Sequence, residues 1–294
     1  MTSRLISTLF ACFVASPAFA GGTGPQPAEP AAQSFTLGEF RITSLRDALN
    51  IVPNDGSIFG ANVGPKAVTE VLSRAGGPGE TINLSVDALL AQKGSEAILL
   101  DTGLGPAIPG ALPGSLSLAG VSPDQVTRVL ITHVHGDHVG GLVTKEGNPA
   151  FKNAVVMISG PDWKWLQQQP EMAKLCNAIA SQVKTFAPGD GVSTGITSVQ
   201  IPGHTPGHVG YLIESKGQSL LDVGDTVHSS VVSLAEPDWD MGYDNDRVVG
   251  RTSRRDVLTK LAADHQLVFA PHFPYPGLGW IGSKGDQFEW LPKK

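Results

Sequence analysis

Cysteine is nearly missing from this chain: there are two in 294 residues, Cys12 and Cys176. That excludes a disulfide framework and the cysteine-rich donor set of a closed structural zinc site. Positive charge is scarce as well. With a net charge of −6 and no basic stripe, a nucleic-acid surface is not expected. Beyond the first twenty residues no run is long and apolar enough to cross a bilayer, and no repeat of fixed period occurs. What is plentiful is glycine (35) and proline (22), which implies many tight turns, as in sheet-rich enzymes that carry function on loops. The length suits one large domain or two small ones with a substantial core.

The N-terminus reads as a secretory signal over residues 1–20. Arg4 precedes the mostly apolar stretch Leu5 to Val14, and Ala18-Phe19-Ala20 is a small-x-small cleavage site. Cleavage near Ala20 removes Cys12 and leaves Cys176 alone, so the exported protein, periplasmic or secreted, relies on its core or on a metal for stability. Residues 21–34, rich in Gly, Pro and Ala, read as a flexible leader. Residues 35–294 form the remaining domain.

Along that domain, FRITSLRDALNIV, TINLSVDALLAQ and EAILLDTG read as strands, the last two joined by a turn at Lys93-Gly94. Helical spacing over Gly64 to Gly76 ends at Gly76-Gly77-Pro78-Gly79. Val129-Leu130-Ile131 is a short apolar strand delivering His133 at its carboxyl end. Further strands fall at AVVMIS, GITSVQ, VGYLIES, QSLLD and QLVF, and helices start near Pro161 and cover Arg251 to Asp264. Strands that come mostly as hairpins in each half, with helices between, favour two packed sheets with helices outside over a doubly wound sheet.

The chemistry concentrates in THVHGDHVGG. His133, His135, Asp137 and His138 fall within six residues. Imidazole and carboxylate together suit a borderline divalent ion: zinc, with manganese or iron as alternatives. His133 and His135 lie two apart, on one face of an extended segment, and Gly136 is expected to let the backbone turn so that Asp137 and His138 aim at a neighbouring point. Four ligands from six residues strain a single ion and suit two. More candidates stand where apolar strands meet Gly/Pro loops: His204 and His208 in PGHTPGH, Asp225 in DVGDTVH and His272 in FAPHFPYPG. Asp222 lies inside its strand, so Asp225 is preferred. Asp101 is expected to hydrogen-bond a ligand histidine. His228 and His265, with no motif around them, read as structural or surface residues.

This pattern, HxHxDH followed by a later His, an Asp in a GD step and a final His, resembles the metallo-β-lactamase superfamily, and the DTG at 101–103 is a further landmark. The resemblance implies an α+β fold, a four-layer αββα sandwich with the site at one edge between the sheets. It implies that His133, His135 and His204 hold one divalent ion, most simply Zn2+, that Asp137, His138 and His272 hold the other, and that Asp225 bridges both. In the loop of this kind His208 usually supports the ligands. Two such ions make water nucleophilic near neutral pH, so a bridging hydroxide is the expected attacking group, with Asp225 and Asp137 as the catalytic carboxylates and Asp225, or a water it holds, as proton donor.

Four substrate classes compete. The β-lactamases with a similar histidine motif lack an aspartate at the position of Asp225. Glyoxalase II-type thioesterases share all seven ligands but carry a basic C-terminal region that this chain lacks. A persulfide dioxygenase needs a single iron and would not use the Asp137–His138 pair, and RNA-processing members need a basic exosite. Lactonases, such as those acting on acyl-homoserine lactones, arylesterases and organophosphate hydrolases remain, and the stretches around residues 82–103, 202–221 and 270–280 resemble the methyl parathion hydrolase-like and lactonase branch. A non-catalytic zinc-stabilised binding protein is the alternative of another class. The expected partner is a small-molecule substrate, without nucleic acid or membrane, and a homodimer is the one protein partnership considered. A pocket lined by aromatics is expected, with Phe273, Trp280 and Trp163 as its candidate residues and Phe59, Trp165, Trp239 and Tyr275 behind them.

Overall fold

Two seven- and eight-stranded sheets are packed face to face in the computed structural model, which describes residues 22–108 and 110–294. The expected signal over residues 1–20 lies outside them. The first sheet contains β1 (Gly24–Pro27), β2 (Ala32–Leu37), β3 (Phe40–Pro53), β4 (Thr81–Lys93), β5 (Glu96–Leu100), β6 (Arg128–Leu130), β7 (Val155–Ser159) and β8 (Val183–Phe186). The second contains β9 (Gly191–Ser193), β10 (Ile196–Gln200), β11 (Val209–Ser215), β12 (Gln218–Asp222), β13 (Leu267–Phe269), β14 (Leu278–Lys284) and β15 (Gln287–Pro292). Their orders are β1-β3-β4-β5-β6-β7-β8, with β2 also on β3, and β15-β14-β13-β12-β11-β10-β9.

Within the expected flexible leader 21–34, residues 24–27 and 32–34 are strand instead. Both strands pair antiparallel with β3, β1 against Ile51 to Ala48 and β2 against Leu45 to Phe40. The fourteen-residue β3 has an open outer edge, and pairing that edge satisfies its backbone groups. A register shift between Arg46 and Ala48 bends β3 where the neighbour changes from β2 to β1.

The core follows the pleat. Phe40, Ile42, Leu89, Ile98 and Leu130 of the first sheet meet Tyr211, Ile213, Leu220 and Phe269 of the second in the central layer. The opposite face of the first sheet, with Leu90, Leu99 and Val129, is covered by helices contributing Leu112, Leu116, Leu166 and Ile179. The outer face of the second is covered by Leu258 and Leu261 of the helix Arg247–Asp264. The result is the four-layer αββα sandwich. Cys176 is buried and unpaired in the first helical layer. Among the described residues no helix is long and apolar enough to cross a membrane.

This architecture places the site. β6, β10, β12 and β13 end at Leu130, Gln200, Asp222 and Phe269, and the loops after them reach His133, His204, Asp225 and His272.

Candidate metal centre

Seven donors converge in two groups, His133, His135, His204 and Asp225, and Asp137, His138 and His272. In the first, His133 Nε2 lies 3.1 Å from His135 Nδ1, and His204 Nε2 lies 3.2 Å and 3.0 Å from those two atoms. Asp225 Oδ2 is 3.6 Å from His133 Nε2 and 3.4 Å from His204 Nε2. Donors about 2.05 Å from a tetrahedral ion stand roughly 3.3 Å apart, so the spacing is that of a coordination shell. Asp225 Oδ1 turns toward the second group, 3.2 Å from His138 Nε2 and 3.1 Å from His272 Nε2, while Asp137 lies 3.8 Å and 3.7 Å from the same two nitrogens. One carboxylate thus faces both groups.

The buried polar atoms test whether a cation belongs there. His138 Nε2 and Asp225 Oδ1 have no hydrogen-bond partner although both residues are almost fully buried. Unpaired buried polar atoms are costly, and these two point into the cluster, as ligands of an ion would. Burial, then the neighbouring His204, pushes His135 down to about 3, and burial with His138 pushes His133 well below its ordinary value, which favours the neutral imidazole that metal binding requires, whereas the nearby carboxylates, Asp225 foremost, outweigh burial and raise His138, His204 and His272. Burial by itself would raise Asp225, but the surrounding imidazoles, His272 foremost, hold it well below the usual carboxylate range.

The supporting shell is built from short-range geometry. Asp101 adopts a left-handed backbone (φ 60°), rare outside glycine, and from it accepts hydrogen bonds from Thr132 N (2.8 Å) and Thr132 Oγ1 (2.7 Å) and pairs with His138 Nδ1 (2.8 Å). That matches the role expected of it. His208 is a support too: its Nε2 accepts from the Asp225 N–H at 3.0 Å while its Nδ1 donates to Ile201 O at 2.9 Å. Gly224, at φ 48°, is required between them, since a Cβ there would stand 2.6 Å from His208 Nε2. Gly136 has no such role. It opens the one-turn helix Gly136–Val139, which presents Asp137 and His138, and a Cβ on it meets nothing within 4 Å. His272 Nδ1 donates to Ser85 O at 2.7 Å, and Ser85 N donates to His272 O at 3.1 Å, fastening this ligand to β4.

Three participants have no motif in the sequence. Asp244 Oδ1 pairs with His204 Nδ1 at 2.9 Å, and its Oδ2 accepts from the buried Arg254 at 2.7 Å. Arg254 also donates to the carbonyls of Thr226, Pro237 and Trp239, so it ties the 226–244 segment to a ligand histidine. His228, expected as a structural or surface residue, lies in the centre: it is 1% exposed, its Nε2 is 3.1 Å from Asp225 Oδ2, and its ring stacks on His272. Neither of its ring nitrogens has a hydrogen-bond partner. The available signal was its position three residues after Asp225, close enough to return to the same cluster. Asp244→Asn keeps the shape of the carboxylate but loses its charge, and it is expected to weaken metal binding by about 10–100-fold in a chelator competition, with little change in fold.

Beside the donors lies a cavity of about 540 Å³, lined by Pro25, Asn50, Leu84, Val86, Leu104, His135, Asp137, Asp225, His228, Tyr243 and His272 among others. The expected aromatic lining is not there. Phe273 is fully buried and packs edge-on against Trp290 under the second sheet. Trp280 stacks on His265 beside a different groove, and Trp163 packs against the first helical layer. Phe59 and Trp239 belong to a separate core cluster, Tyr275 sits under Arg46, and Trp165 reaches only the outer edge of His135. Phe273 and Trp280 flank His272 in sequence, but the strand and turn around it direct both side chains away from the site.

Residues 82–272 match the metallo-beta-lactamase superfamily, and the chain belongs to it. Within that family an N-acyl homoserine lactonase of Bacillus sp. is 27% identical over 170 residues, which is 50% of this chain and 66% of the relative. The chain therefore spans just under two thirds of that relative's length. Among solved structures, the dizinc quorum-quenching lactonase AidC, in complex with the product N-hexanoyl-L-homoserine, superimposes with a TM-score of 0.85 at 27% identity, covering 90% of this chain and 98% of AidC. The hydrolase AbOPH of the beta lactamase superfamily gives 0.80 at 29% identity, again over 90% and 98%.

Proposed function

We propose that this protein is an exported dinuclear zinc hydrolase that opens lactones, with N-acyl homoserine lactones as the substrate class. The carrying observation is the cavity: its lining combines members of the two-part donor set with Leu84, Val86, Leu104 and Pro25, includes Asn50 and Tyr243, and has no Lys or Arg among its described residues. A neutral ring with a carbonyl at the donors and an apolar substituent along the wall suits that lining. An anionic glutathione thioester, the glyoxalase-type alternative, would find no cation beyond the metals. The lactonase relatives support the reading, and so does the apolar signal pattern over residues 1–20 for export.

Two divalent ions held by these residues would lower the pKa of a bound water to about 7 and would polarise the carbonyl. The chain's own residues do the rest. Asp225 keeps the two halves of the donor set in register through Oδ1 and Oδ2. Asp137, part-exposed, lines the cavity together with Asp225. His228, with both ring nitrogens unpartnered, and the half-buried Tyr243 offer polar hydrogens to an oxygen in the cavity. The test is turnover by metal-replete protein of an acyl-homoserine lactone, an aryl ester, methyl parathion, lactoylglutathione and a chromogenic cephalosporin. The lactone is expected to give the highest kcat/KM. Preference for lactoylglutathione or the cephalosporin would overturn the reading, and zinc binding with no turnover of any of them would favour a structural metal site.

A further inference from the structure

Pro25 of β1, a strand that contributes no donor, lines the same cavity as His135, Asp137, Asp225 and His272. Pro25 of β1 stands opposite Asn50 of β3, and Asn50 stands opposite Leu84 of β4. All three residues line the cavity, as one row across three neighbouring strands. Leu84 adjoins Ser85, whose backbone is fastened to the ligand His272. The row therefore runs from the donors outward, and two strand spacings put Pro25 roughly 10 Å from Leu84.

We propose that β1 is the distal wall of the substrate cavity and that Pro25 sets the length of apolar tail the cavity accepts. The proposal deepens the lactone reading, and rests on it for the identity of that tail, a straight acyl chain. A substrate whose carbonyl meets the donors and whose tail follows the row crosses Leu84, then Asn50, and ends against the Pro25 ring. The strand is suited to this position. It is only four residues long, and its two prolines lack an N–H, so it pairs on the sheet edge without offering a full ladder to another strand. Its placement is fixed from behind: Ala31 N donates to Ser115 Oγ at 3.0 Å and Ala31 O accepts from Arg46 N at 3.0 Å, holding the chain where it turns from β1 to β2. Pro25 itself is exposed to the cavity side and buries no core, so it can be changed without disturbing the sandwich.

The experiment compares wild type, Pro25→Trp and Pro25→Gly in the full zinc-loaded protein. Calorimetry measures the affinity of a straight-chain fatty acid series, butyrate to dodecanoate, whose carboxylate can sit on the metal pair without turnover. Each methylene buried along the row is worth about fourfold in affinity. Wild type is expected to tighten with length until the tail reaches β1. Pro25→Trp, which shortens the cavity, is expected to lose about tenfold or more on decanoate while butyrate stays unchanged. Pro25→Gly is expected to lose several-fold on the longest members alone. KM for acyl-homoserine lactones of matching lengths should follow the same order. Identical length profiles in all three proteins, or a shift equal at every length, would refute the wall. If the fatty-acid profiles change as stated while no lactone is turned over by wild type, the wall stands and the lactone reading fails. If lactones are turned over and the profiles do not move, the reverse holds.

Discussion

Asp225→Ala is expected to abolish turnover and to leave fewer than two ions per chain after dialysis. Asp225 faces both donor groups, with Oδ2 toward His133 and His204 and Oδ1 toward His138 and His272. Its removal therefore takes a donor from each half and also unbalances the charge, since it stands within 3.6 Å of five imidazoles, those of His133, His138, His204, His228 and His272. Loss of a supporting residue one step removed costs about 10–100-fold in metal affinity, so loss of the shared ligand exceeds that. Elemental analysis of the dialysed variant is the direct measurement. Two ions per chain in an inactive variant would restrict Asp225 to chemistry, and full activity would remove it from the centre altogether.

His228→Ala is expected to lower kcat by about 100- to 1,000-fold, the range seen when one preorganised donor to a developing oxyanion is removed. The sequence suggested no such role, and the geometry does: a buried imidazole beside Asp225, stacked on His272, bordering the cavity, with no partner for either nitrogen. His228→Gln, which keeps a hydrogen-bond donor, should recover part of the loss. His265→Ala is the control, because His265 ends the helix Arg247–Asp264 and stacks on Trp280 beside a different groove. Equal effects of the His228 and His265 substitutions would remove His228 from the reaction.

The contrast between those two histidines shows what could be read from the amino-acid order. The seven donors were legible because they come in motifs at strand ends, where an apolar run and a Gly/Pro loop mark the position independently of the fold. Asp101 was legible for the same reason. Asp244 and Arg254 were not, because their partners lie 40 and 10 residues away, and His228, although only three residues after Asp225, has no motif around it. The aromatic pocket failed for a related reason: nearness to His272 in sequence says nothing about side-chain direction, and the chain after it sends Phe273 into the core. Most strands from Phe40 to Phe269 follow the apolar pattern, whereas the leader's strands did not show. Their composition, rich in Gly and Pro, is that of a linker, and only the open edge of β3 makes them strands. The β14–β15 hairpin carried a signal in Lys284-Gly285-Asp286, a turn between two alternating stretches.

The donors do not belong to one sheet. His133, Asp137 and His138 hang from the first, and His204, Asp225 and His272 from the second. Whatever cation joins them also clasps the two halves of the sandwich at that edge, in a molecule with no disulfide among its described residues to do so. Resistance to unfolding is thereby linked to free metal in the surroundings, rising by about 4 kcal/mol when the ion stands at a thousand times its dissociation constant. The same supply that arms the site would also decide how long the chain survives.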